Sequence, residues 1–157
     1  MSDGFVDGLE RLVAAFDDDA LDVVTVREQP LQVTIATADA SVGAVPLPVG
    51  IEVGDAEIRV DLGGWVHRIP RSGPDDDDAA ALALDLVAAA LIGRVEVVRT
   101  ALADGHVIGH RVAIAGARGL VAFDRHARWR WPWQTLTHTS MRNRDRLPRG
   151  LALGRAG

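Results

Sequence analysis

Arg99, His106 and His110 are the residues whose types and spacing come nearest to a reactive cluster in this chain. They lie on two β-like runs, Arg94 to Ala103 and His106 to Ile114, joined by Asp104-Gly105, a dipeptide that favours a two-residue hairpin turn. Such a turn sets Ala103 against His106, Ala101 against Ile108 and Arg99 against His110, with both histidines on one face. A neighbouring cation and partial burial both favour a neutral imidazole, which accepts a proton or a metal. Two histidines at this spacing make no zinc site without a third ligand, and nothing marks His67, His126 or His138 as that ligand. No metal and no cofactor are expected, and no catalytic residue is assigned.

Other chemistries fall away on composition. Cysteine is absent, which removes disulfides, thiolate ligands and thiol nucleophiles. All 17 basic residues are arginine, so Schiff-base and P-loop lysine mechanisms are excluded. None of Ser2, Ser41, Ser72 and Ser140 stands in a nucleophile elbow, and Gly116 to Gly119 reads as a turn rather than a phosphate cradle. Asp75 to Asp78 lack the glycine and terminal glutamate of a calcium loop, and they sit where carboxylates cap a helix. Asp85 interrupts the apolar helix that follows, as its solvent-facing position or as a carboxylate paired with an arginine.

Arg128-Trp129-Arg130-Trp131-Pro132-Trp133 holds three of the four tryptophans. On a strand, Trp129, Trp131 and Trp133 share one face, and Arg128 and Arg130 the other. Each indole offers roughly 150–250 Å² for burial, more than a soluble monomer leaves exposed three times over. Pro132 has no N–H for a ladder, so the segment belongs at a sheet edge, where unpaired backbone accepts a second chain. Tryptophan and arginine are also the residues most enriched at binding hot spots. The same rings equally well pack under an element of their own chain, or stack on a planar ligand.

The elements that position these residues read as follows. Phe5, Val6, Leu9, Leu12, Val13 and Phe16 repeat at helical spacing, and a second helix runs from about Ala79 to Ile92, stopped by Gly93 and apolar enough to be largely buried. Strands are expected over Leu21 to Glu28, Leu31 to Thr37, Ile51 to Val53, Ile58 to Leu62, Trp65 to Ile69, the two runs around Asp104-Gly105, Leu120 to Asp124 and Arg128 to Thr137. Ser41 to Gly50 reads as a loop. The order predicts an α+β fold: an antiparallel β-sheet of about six to eight strands, two helices packed on one face, and a flexible tail. Residues 1–139 form one domain on this reading, and 140–157 an arginine-rich, loosely ordered tail.

Charge is divided. Arg125 to Gly157 carry eight arginines and one acid, Asp145, while the preceding 124 residues carry nine arginines and 21 acids. A basic end on an acidic body folds back on that body, or attracts an acidic protein surface or nucleic acid. The longest apolar run is too short for a bilayer and no secretory leader is visible, which suggests a cytoplasmic protein. Together these features favour a non-enzymatic protein-binding or accessory module, binding a protein partner or a second copy through the Trp/Arg edge strand. The alternatives are a small-ligand-binding domain or minor enzyme using Arg99, His106 and His110 on a concave sheet face, and nucleic-acid binding through the C-terminus.

Overall fold

A computed structural model describes residues 3–16, 20–26, 30–73, 75–116, 122–125 and 133–146. The class is α+β, with helices α1 (Asp3–Ala14) and α2 (Asp77–Leu91) and nine strands among the described residues. The strands form two antiparallel sheets rather than one. β1 (Leu21–Val26), β2 (Leu31–Thr37), β3 (Val49–Val53), β4 (Glu57–Leu62) and β5 (Trp65–Pro70) make a five-stranded meander in chain order. β6 (Val95–Leu102), β7 (Val107–Ile114), β8 (Ala122–Arg125) and β9 (Leu136–Met141) make a second sheet, ordered β8-β7-β6-β9. α2 separates the two in sequence.

Alternation decides which face of the first sheet is inside. Along β2, Leu31, Val33, Ile35 and Thr37 are buried while Gln32, Thr34 and Ala36 are exposed, and β3 and β4 continue the inner layer with Val49, Ile51, Val53, Ile58, Val60 and Leu62. α2 lies over β4 and β5 and α1 packs against α2, so both helices sit on this inner face. One hydrophobic cluster joins the helices, the first sheet and Val95, Val97, Val112 and Met141 of the second.

Two-fold alternation fits these strands well, but α2 is less buried than its composition suggests. Ala81, Leu82 and Asp85 face solvent, so Asp85 is one of several exposed positions of the helix. Of the four aspartates before it, Asp76 is the cap: its carboxylate accepts the Ala79 N–H at 3.0 Å, the Ser72 N–H at 2.7 Å and the Ser72 hydroxyl at 2.8 Å. These bonds favour the charged form and draw its pKa from the ordinary 3.8 to about 2.

The sheets meet at the β4–β5 turn. Gly63 and Gly64 both have positive φ, and a Cβ would approach Met141 at Gly63 and the His110 ring at Gly64. Residues 140–146, the start of the expected tail, are also part of the fold, and 147–157 lie outside the described residues. β9 ends at a buried Met141, Val45 N–H donates to Ser140 O at 2.9 Å, and Arg142 N–H donates to Val45 O at 3.0 Å. Asn143 is 1% exposed. Residues 140–146 read as tail in the sequence because polar composition says nothing of partners supplied by distant loops.

Candidate functional site

Trp133 is the tryptophan of the Trp/Arg stretch that falls among the described residues; Arg128, Trp129, Arg130 and Trp131 lie outside them. Trp133 is 74% exposed. It stands in a turn, not on a strand, and the ladder with β6 begins at Leu136. Of the strand expected over Arg128 to Thr137, residues 128–132 lie outside the described residues, 133–135 are not in a strand, and the last two residues open β9, Leu136–Met141. Among the described residues β9 is an edge strand of its sheet.

The free side of that edge follows from its bonds to Val45. The Ser140 carbonyl and Arg142 N–H point outward to Val45, so by two-residue alternation the backbone groups of Leu136 and His138 point outward as well. Val45 occupies the far end of β9. Among the described residues nothing pairs with the end beside Trp133. The His138 side chain turns to Thr100, whose Oγ1 lies 3.0 Å from its Nδ1.

Arg99 and His110 are directly paired across β6 and β7, as the hairpin reading requires. His106 does not join them. The turn is a three-residue loop, with Gly105 N–H donating to Leu102 O and Leu102 N–H to His106 O, both at 2.9 Å, and Gly105 at φ +83°. A bulge then sets Ala101 against Val107 instead of Ile108. One extra residue inverts the alternation, so His106 and His110 leave the hairpin on opposite faces. His110 is 4% exposed against Gly64, while His106 lies in solvent with its N–H on Asp104 Oδ1 at 2.9 Å.

Among the described residues the remaining histidines do not converge either. His67 stacks on Trp65 with ring centroids 5.4 Å apart, His138 is on β9, and His126 lies outside the described residues. No group of three potential metal ligands occurs among the described residues. Arg142 and Arg146 serve the fold: Arg142 bonds Gly93 O at 2.7 Å and Asp145 at 2.9 Å, and Arg146 bonds Asp39 at 2.8 Å.

Sequence reasoning missed a second surface. Among the described residues the outer face of the five-stranded sheet carries no helix, and a depression of about 410 Å³ opens over Gly50. Two rows cross it, Val24-Thr34-Gly50-Asp61-Val66 and Val26-Gln32-Glu52-Arg59-Arg68. Arg59 pairs with Glu57 and Glu52, and the hydrogen bond and charge of Glu57, helped by Glu52, raise its pKa above the ordinary value. A glycine inside a strand is the signal for such a bare patch, but Gly50 reads as loop because Pro46 and Pro48 precede it. The charges here are partnered with each other and show no bias toward one ligand class.

No family model, no curated protein and no solved structure matches the chain.

Proposed function

We propose that this protein is a non-enzymatic protein-binding module whose contact is anchored at the Trp133 end of β9. The observation that carries the reading is a large, exposed indole beside the half of an edge strand that, among the described residues, nothing pairs with. Exposed tryptophan is costly to leave in water and is among the side chains that dominate protein interfaces when covered. The outward backbone groups of Leu136 and His138 offer a partner strand main-chain hydrogen bonds, with Trp133 as the side-chain anchor. Arg128, Trp129, Arg130 and Trp131 extend the same contact on this reading. Protein binding is supported further by the separation of His106 from Arg99 and His110, which leaves the small-ligand reading without its three-residue cluster.

A photo-crosslinking side chain introduced at position 133 tests the proposal in the full-length protein. Capture of one specific protein partner, or of a second copy, is expected from position 133 and not from the fully exposed Val42. Trp133→Ala should weaken that association while changing stability by less than about 0.5 kcal/mol, as for an exposed surface residue. Equal capture from both positions, or none from position 133, removes the proposal.

A further inference from the structure

We infer that β1 is the interface for a second copy of this chain, joining two five-stranded sheets edge to edge. The inference goes beyond the Trp133 contact, which lies on the other sheet, and does not depend on it.

β1 is the edge strand that lacks protection. β5, the opposite edge, carries Arg68 and Pro70, β9 is covered along part of its length by Val45, and β8 has four residues. β1 is Leu-Asp-Val-Val-Thr-Val, with no proline, glycine or cation and a single charge, Asp22. Among the described residues no element pairs with its outer side. Val24 is 57% exposed and Val26 42% exposed on the outer face. A β-branched, nearly uncharged edge is the kind of strand that pairs with another chain.

The inner face of the same strand is open too. α2 covers β4 and β5, and between α1 and the β1–β2 pair lies an apolar groove of about 220 Å³. Val6, Leu9 and Val13 line it from the helix and Val23, Thr25 and Leu31 from the sheet. β1 is thus incompletely covered on its edge and on both faces.

Symmetry selects a second copy as the occupant. A strand laid antiparallel to itself about a two-fold axis normal to the sheet is self-complementary, and it keeps each face continuous. With the axis at Val24, Val24 meets its equivalent, and Val23 meets Thr25 of the other copy on the inner face. Both α1 helices then lie on the same side of the joined sheet, and the two grooves open toward each other across the axis. The charge pattern allows it. Asp22 pairs with Val26 of the other copy, which leaves the two carboxylates four residues, about 13 Å, apart along the strands and beyond the screening length.

The test measures mass by light scattering on the full chain, with Val24→Lys and Val66→Lys as matched variants. Val66 occupies the same outer row at the opposite edge. The wild type and Val66→Lys should run at the mass of two chains and Val24→Lys at one, with the far-ultraviolet circular dichroism spectrum of the folded chain unchanged for all three. Tm should rise with protein concentration for the wild type and Val66→Lys alone. Because the chain has no cysteine, Val24→Cys should also form a disulfide-linked dimer on mild oxidation, whereas Val66→Cys should not. A wild type that stays at one chain across the micromolar range, a Val24→Lys protein that remains two chains, or a Val66→Lys protein that dissociates equally would overturn the inference.

Discussion

The Asn143 amide oxygen accepts the Thr37 hydroxyl at 2.6 Å, across 106 residues of sequence. The same oxygen accepts Leu47 N–H at 2.8 Å, and the amide nitrogen donates to Leu47 O at 3.1 Å and Ala90 O at 3.0 Å. One side chain thereby ties β2, the loop before β3 and the end of α2 to the strand leaving β9. All four bonds are made out of contact with water, where an unmade polar group costs the most.

Asn143→Ala should therefore destabilise the fold by about 3–5 kcal/mol, because it leaves both polar groups of Leu47 without their partner and removes one bond to the Ala90 carbonyl, which keeps the Gly93 N–H at 3.2 Å. Denaturant melts of the two proteins measure this. A change below about 1 kcal/mol, the ordinary size for one solvent-compensated bond, would mean that Asn143 is not the tie described.

Gly93 closes α2 at φ +79°, and a Cβ there would lie 2.6 Å from Asn143 O. Gly43 has nearly the same backbone, φ +77°, with nothing within 4 Å of the added atom. Gly43→Ala should cost about 1–2 kcal/mol, the conformational penalty alone. Gly93→Ala should cost distinctly more, since the obstructing atom is backbone and has little room to retreat. Equal losses in a pair of thermal melts would show that the chain after β9 yields easily.

Asp76 gives the fold an acid-sensitive increment. Its folded pKa of about 2 lies below the ordinary 3.8, so the stabilisation is full above pH 4 and is lost as pH falls toward 2. Asp76→Ala should lower Tm at neutral pH, and the gap from the wild type should narrow through that window. Parallel melts from pH 7 to pH 2 that keep a constant gap would rule out the carboxylate as its source.

A second arm of the Trp133 proposal concerns fluorescence. Trp65 is buried against His67 while Trp133 is exposed, so in a Trp129→Phe/Trp131→Phe background, where these two are the remaining indoles, Trp133→Phe should remove the red-shifted part of the emission. An unchanged emission maximum would place that indole out of water and take away the anchor.

The sequence by itself determined the α+β class, the two helices, the inward valines, leucines and isoleucines of β2 to β4, and the facing of Arg99 and His110. These follow from periods of 2.0 and 3.6 residues and from local turn chemistry, which neighbouring residues alone impose. Tertiary structure alone decided the division into two sheets, the exclusion of His106 by a one-residue bulge, the bare patch over Gly50 and the burial of Asn143. Each depends on which distant segment supplies a hydrogen bond or fills a space. Thr37, Leu47 and Ala90 carry no mark in their own neighbourhoods that they share one amide. Composition around Asn143 is that of a solvated tail, and only the carbonyls waiting at the end of α2 and before β3 give it an interior place.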